Sequence, residues 1–387
     1  MSPHKRRARP SPARRVVGLV LALAATSLAT PADAQPASDS FADSTVYFSD
    51  SPLTRWHLSP FGDLRLRRER TQDIPGRTVD VERTRVTLRG GLAWAPGPRF
   101  GAELSLRAAA GSEHDTEFPR IDNDAPDTLE LDRANVWLAP WPGGTLRAGR
   151  MVFPLRLTEL VGDDDLRPWG VVAMHRQQVG ALDVVRAGAG VWRRSKPDED
   201  GVMSVAQTGW WFREGAEQSG AAVVSWVWFT NTELLAREDL GRQNRVVGAG
   251  DLRQYAERFR LVDVQLEGRL SIASLPVTAG VDLLRNTWAS ADDGAVRTRL
   301  VVGRFGERFG AEAGWSYLRA EREALLGAFA SDDWWARTAT RGHLPWVTLG
   351  WADWLRLRVW GTFEWRDGVP ERSERVVSEL TLRWNGR

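Results

Sequence analysis

The chemistry this chain can do is written in its charges. Arg65 and Arg67, then Arg83, Arg85 and Arg89, recur at alternate positions, and Arg107, Arg133 and Arg147 stand in later segments among similar apolar neighbours. A guanidinium stays ionised at any physiological pH, so a row of them on one face holds a permanent positive potential. Residues 151–170 carry the opposite sign: Glu159 and the run Asp163-Asp164-Asp165 follow an apolar first half, and Pro168-Trp169-Gly170 ends the stretch. Fixed charges of this kind attract, orient and sort polar solutes or ions; by themselves they break no bond. Bond-breaking chemistry would need a nucleophile held beside a base. After the N-terminal segment the histidines are His57, His114, His175 and His343, and no Gly-x-Ser-x-Gly elbow occurs. A lone histidine is far more often structural. No catalytic residue, no cofactor and no metal is expected. Cysteine is absent, which excludes disulfides, thiolate metal sites and a lipoprotein anchor.

What must position these charges is a strand pattern. Residues 83–94 place Arg or Thr on the odd positions through 89 and Val86, Leu88, Leu92 and Trp94 on the even ones. Successive side chains of a strand point to opposite faces, so this segment has one polar face and one apolar face. Residues 61–69 set Leu64 and Leu66 against Asp63, Arg65 and Arg67, and residues 99–110 set Phe100, Ala102, Leu104 and Leu106 against Glu103, Ser105 and Arg107. The same polarity returns in 260–270, in 354–366, and in the last segment, where Val376, Leu380, Leu382 and Trp384 oppose Arg375, Glu379, Thr381 and Arg383. Asp263, Glu267 and Glu364 also fall on the polar side, so that side carries both signs. A water-filled lumen tolerates such a face, whereas a dry soluble core would suffer a large desolvation penalty.

The connections sort by length. Short ones near 95–98, 140–144, 179–182, 215–219, 274–276, 307–308 and 352–353 alternate with longer ones near 71–79, 111–127, 151–170, 194–202, 231–253, 290–294, 320–341 and 367–372. Gly, Pro, Asn and Asp mark most of them, as hairpin turns require. An up-and-down membrane barrel puts its short periplasmic turns on one rim and its longer outer loops on the other, and has an even number of strands. A sandwich has no reason to segregate loop length in this way. The sequence therefore predicts an all-β, transmembrane, antiparallel up-and-down β-barrel of about 16 strands with a long third outer loop. The chain is rich in Trp, with 20 against 3 Tyr and 13 Phe, which suits interfacial girdles; a Trp-rich sugar-binding sandwich is the soluble alternative.

The N-terminus reads as an export signal. Lys5, Arg6, Arg7, Arg9, Arg14 and Arg15 precede an apolar run, and Ala32-Asp33-Ala34 follows as a small-residue cleavage site. The run is too short and too Ala-rich to span a bilayer comfortably as an anchor. The organisation expected is a cleaved signal peptide over 1–34, a Ser/Asp-rich lead-in over 35–56 and a barrel over 57–387. The formal charge of +2 includes a net five positive charges in the signal, so the mature chain stands at −3 and loses the bulk basicity that a nucleic-acid binder would need.

Leu131-Asp132-Arg133-Ala134-Asn135-Val136, Leu146-Arg147-Ala148-Gly149-Arg150-Met151, Phe153-Pro154, Glu159-Leu160 and Asp163-Asp164-Asp165-Leu166-Arg167-Pro168 together resemble a bacterial porin family of outer-membrane barrels. Gly62-Asp63-Leu64-Arg65-Leu66-Arg67 with the strand at 83–88 is similar to that family's first hairpin. The likeness covers about residues 55–170 and is generic beyond; Gly162 stands where an aromatic residue commonly precedes the first acid, and the chain ends Trp384-Asn385-Gly386-Arg387 instead of on an aromatic residue. The resemblance implies a passive channel for small polar or charged solutes in the bacterial outer membrane, surrounded by lipid and lipopolysaccharide, with no nucleic-acid partner and with a homotrimer as the assembly. It further implies that the third outer loop folds inward, so that Glu159, Asp163, Asp164 and Asp165 form a constriction facing the lumen arginines Arg65, Arg67, Arg83, Arg85, Arg89, Arg107, Arg133 and Arg147. The bland alternative makes the acidic run a solvated surface loop able to hold a divalent ion. Other readings of the same barrel are a dedicated channel for an anionic substrate such as phosphate or an anionic polysaccharide, a plugged structural barrel, and a barrel enzyme.

Overall fold

The computed structural model describes residues 57–74, 80–113, 129–194, 201–237, 243–304, 309–352 and 354–385. The expected signal peptide and lead-in lie outside the described residues, as do His114, most of the second long connection and the turn at 307–308. Within them the chain alternates strand and turn from end to end. The first half supplies β1 (Leu58–Gln72), β2 (Val81–Gly97), β3 (Phe100–Glu113), β4 (Leu129–Leu138), β5 (Gly144–Arg150), β6 (Trp169–Gln178), β7 (Val184–Arg193), β8 (Val202–Phe212) and β9 (Ser219–Thr230). Two short strands, β10 (Val246–Val247) and β11 (Gln254–Tyr255), pair with each other in the following loop. The remainder comprises β12 (Arg260–Ile272), β13 (Leu275–Asn286), β14 (Gly294–Arg304), β15 (Phe309–Ala320), β16 (Thr340–Trp351), β17 (Leu355–Arg366) and β18 (Arg372–Asn385).

Sixteen of these strands hydrogen-bond to their chain neighbours in a closed antiparallel barrel, and β1 pairs with β18 to complete it. Closure leaves no edge strand, the condition for a sheet to cross lipid. Burial is inverted relative to a soluble protein. On β2, Leu88 is 48% exposed while Arg89 is 7% exposed, and on β3 Leu104 is 58% exposed against 5% for Arg107. The apolar face therefore looks outward, where only lipid can cover it, and the charged face looks inward. The strict alternation of apolar and charged residues fixes this register, because a one-residue slip would exchange the two faces.

The outward tryptophans gather near the rims. Trp94, Trp210, Trp351 and Trp384 stand at the short-turn end, and Trp169 and Trp228 near the long-loop end, all exposed. Their indoles suit the headgroup level, apolar on the ring and polar at the N–H. Other tryptophans depart from this use: Trp192, Trp334, Trp346 and Trp360 are buried inside. Most strands run longer than the alternation alone suggests, since backbone pairing continues past the last apolar residue; β3 reaches Glu113, and the third long loop ends at Pro168 because Trp169 already pairs with Arg193. The loop after β9 extends beyond residue 253 to Phe259 and contains a helical turn, Glu233–Arg237, together with the β10–β11 hairpin, neither of which the strand pattern foresees.

Candidate functional site

The inner face of β1–β5 and β18 is a wall of guanidinium groups interleaved with acids. Arg67 donates to Glu379 at 2.9 Å, Arg133 to Glu103 at 2.7 Å and Arg107 to Glu130 at 3.3 Å. Arg147 stands 3.8 Å from Glu103. Arg83 and Arg85 share the inner face of β2 with Arg89, nearer the long-loop rim. Arg133 and Arg67 also lie over aromatic rings, Phe61 at 5.6 Å and Trp360 at 5.5 Å. A delocalised guanidinium donates to a carboxylate from its edge and stacks a ring on its face, which explains how the wall packs so many cations.

At the centre of this wall lies Asp132, which strict alternation from Arg133 would turn toward lipid. Pairing between β3 and β4 slips at Ser105/Leu106, where Ser105 meets Arg133 but Leu106 meets Leu131. The extra residue of this bulge turns Asp132 inward as well. Its carboxylate then accepts from Ser105 Oγ at 3.1 Å and lies 3.3 Å from Arg167, 3.5 Å from Arg133 and 3.8 Å from Arg89. No parity rule read from one strand could find it.

The loop between β5 and β6, residues 151–168, enters the barrel and crosses it. Its neck is closed by Met151 N–H donating to Pro168 O at 3.1 Å. Its first half runs to the far wall: Arg156 donates to Glu267 on β12 at 2.9 Å, Glu159 accepts from Arg297 on β14 at 3.0 Å, and Gln207 and Gln265 both donate to Arg156 O. Its second half returns to the arginine wall, where Asp165 lies 3.5 Å from Arg65 and 3.4 Å from Arg89. The four acids therefore separate. Asp165 meets the arginine wall, Glu159 meets the opposite one, and Asp163 is buried with its oxygens accepting backbone N–H groups of Asp165 and Asp332. Asp164 alone is exposed to the lumen.

These placements set the protonation of the loop. Despite burial, the cationic neighbours Arg65 and Arg89 hold Asp165 far below the ordinary carboxylate range. Although Asp164 keeps surface open to the lumen, the protein packed around its carboxyl, and then the like charges of Glu159 and Asp165, push it up to about 6. Burial lowers Arg167 to about 10, which still leaves it charged at neutral pH. The carboxylates of Asp163, Asp165 and Asp332 come within 4.8 Å of one another. Both oxygens of Asp163 accept backbone N–H groups and Asp165 Oδ1 faces Arg65 and Arg89, so these two acids do not offer the free ligands that a divalent ion needs.

A second loop joins the first. Residues 321–339, between β15 and β16, also fold inward, with Leu325, Leu326, Phe329 and Trp334 buried. Asp163 N–H donates to Phe329 O at 2.9 Å and Ser331 N–H to Glu159 O at 2.8 Å, so the two loops are bonded main chain to main chain. Glu364 on β17 holds the far end, accepting from Trp335 N–H, Ala336 N–H and Thr340 Oγ within 2.8 Å.

Solved structures share this arrangement of strands. The chain is similar to OprB of Pseudomonas putida in its high-pH structure, with a TM-score of 0.57 at 10% identity over 86% of this chain and 95% of that one. The low-pH structure of the same protein gives 0.50 at 9% identity, over 86% and 94%. The fold is that of the outer-membrane porins. No family model matches the chain, and no curated protein matches it in sequence. Against the porin barrel, His175 and His343 both lie on the outward face: His175 accepts from Trp141 Nε1 at 3.3 Å, and His343 stacks on Trp315 with ring centroids 5.7 Å apart. Neither reaches the lumen charges.

Proposed function

We propose that this protein is an outer-membrane porin, a water-filled channel through which small polar or charged solutes diffuse passively. The observation that carries this reading is the inside-out barrel itself, with both signs of charge on its inner face and a folded loop spanning it between opposite walls. Arg65, Arg67, Arg83, Arg85, Arg89, Arg107, Arg133 and Arg147 are the cations past which a solute moves, and Glu159, Asp163, Asp164 and Asp165 mark the narrowing. Opposed charges across a low-dielectric constriction create a transverse field that aligns dipolar solutes and favours one sign of ion. The mixture of acids and arginines favours a general channel over one dedicated to phosphate or an anionic polysaccharide. Lipid and lipopolysaccharide surround the barrel in this reading. Three copies associate, and the outward groove where Ala173, Ala187, Ala206 and Thr208 lie between Trp141 and Trp226 offers them a flat place to meet.

The test is single-channel conductance of the purified mature protein in a planar bilayer under a salt gradient. Stable current steps are expected, and an inserted but electrically silent barrel would sink the proposal. The same recording checks a pH dependence. The charge of Asp164 is present above its pKa of about 6 and is lost as pH falls through it. The reversal potential should therefore move toward anion preference across that range, and Asp164→Asn should remove most of the movement.

A further inference from the structure

The inner wall is divided. On β1–β5 and β18 it is charged, but toward the long-loop end of β7–β9 and β12 it is apolar: Trp192, Met203, Val205, Val227, Phe229 and Leu261 all face inward and are buried. What buries them is the pair of inward loops, together with Leu235, Tyr255 and Phe259 of the loop after β9. Phe153 packs edge-on against Trp192 at 5.4 Å, and Phe329 lies 5.0 Å from Phe229. Leu160 and Val161 of the first loop and Leu325 and Leu326 of the second belong to the same continuous cluster. A closely packed apolar region of this kind has no room for water or for a polar solute.

Asp332 and Asp333 of the second loop lie on the other side of it. Arg375 on β18 donates to Asp332 O at 2.5 Å and Thr362 on β17 donates to Asp333 O at 3.1 Å, which fixes these residues against the charged side. Asp163 joins the two loops. Its N–H bonds the second loop at Phe329, one carboxylate oxygen takes Asp332 N–H at 3.1 Å, and the other takes Asp165 N–H at 2.9 Å. One buried side chain thus sets the positions of Asp165 and Asp332 together.

Resting on the channel reading, we propose that the loop of residues 321–339 is a second constriction element. Locked to the third outer loop through Asp163, it seals the apolar patch at the long-loop end of β7–β9 and β12 and confines solutes at that level to the charged side. Asp333 is then a selectivity-determining acid beside Asp164 and Asp165, and Asp163 is a positioning residue that no permeating ion need touch. Conductance is limited by the joint between the loops more than by the width of the barrel.

Two variant recordings and one labelling experiment test this. Asp163→Ala is expected to raise single-channel conductance at least about three-fold, because two buried charge-assisted hydrogen bonds to its carboxylate are lost and the second loop is held to the third only by the main-chain bonds to Phe329 and Glu159. Glu364→Gln, which frees the other end of that loop without changing its shape, should move conductance in the same direction by less. The absence of native cysteine gives an independent readout. Ala330→Cys places a thiol at a buried position of the second loop, and a water-soluble maleimide should label it at least about ten-fold faster when Asp163→Ala is added, since local opening controls access. Unchanged conductance in both loop variants, or equal labelling rates with and without Asp163, would overturn the two-loop constriction while leaving the channel intact. Loss of all current in wild type and in every variant, with each still migrating as a folded barrel, would instead remove the channel reading on which the inference stands.

Discussion

Asp132→Ala is expected to destabilise the folded barrel by about 3–5 kcal/mol, the cost of removing one partner from a buried charge cluster. Asp132 is 3% exposed, and it is the carboxylate shared by Arg89, Arg133 and Arg167. Without it, three guanidinium groups from β2, β4 and the third loop face one another across a space that water barely enters. Arg133 keeps Glu103 and Arg89 keeps Asp165. For Arg167 the remaining hydrogen bonds, to the backbone oxygens of Asp164 and Leu166, are local to the loop, so the loop should lose its hold on this wall first. Asp132→Asn keeps the shape and an acceptor for Ser105 but not the charge, and should fall between wild type and Ala. The midpoint of unfolding in urea, or the temperature at which the folded band on an unheated gel converts, reads the difference. Equal midpoints for all three proteins would show that lumen water screens the arginines and that the cluster contributes little.

The second large effect concerns selectivity. Glu159 and Asp164 are the acids of the third loop that touch water most, whereas Asp163 and Asp165 are locked into bonds. Replacing both by Gln and Asn leaves Arg65, Arg133 and Arg299, each partly open to the lumen, to dominate the local potential. A unit charge about 7 Å from an ion's path is worth about 0.6 kcal/mol even at the dielectric constant of water, so the pair together should change the anion-to-cation permeability ratio by about five-fold or more. Reversal potentials under a salt gradient measure this, and the shift should shrink at high ionic strength, where the Debye length falls to a few ångströms. A ratio that does not move would place the selective region elsewhere along the arginine wall. Arg297 keeps Asp282 at 3.6 Å after Glu159 is neutralised, so no large loss of stability should confuse the reading.

Much of this was legible in the residues. Period-two alternation in strands such as β1, β2, β12 and β18 is a local property, since each residue's face follows from its neighbours alone, and it assigned Arg65, Arg67, Arg89 and Arg107 to the polar face without knowledge of any partner strand. Segregation of loop lengths carried the topology, because an up-and-down barrel must alternate its rims. Even the apolar inner patch left a trace. Residues 221–229 read Ala-Ala-Val-Val-Ser-Trp-Val-Trp-Phe, a run apolar on both faces, and Ala324-Leu325-Leu326-Gly327-Ala328-Phe329-Ala330 is too apolar for a solvated loop. Each is a surface in need of cover, and in the fold they cover one another.

What the sequence by itself determined, then, was the barrel, its handing of charge to the inside and its division into short and long rims, all consequences of periodicity and turn chemistry. Only the tertiary structure decided which charges meet. The inward turn of Asp132 depends on a bulge in the pairing with β3, and the separation of Glu159 from Asp165 depends on a loop crossing to the far wall. The joint at Asp163 depends on a loop more than 150 residues further along the chain. Contacts of this kind are set by the closure of the whole barrel, which brings distant segments into one lumen, and no local pattern encodes that distance.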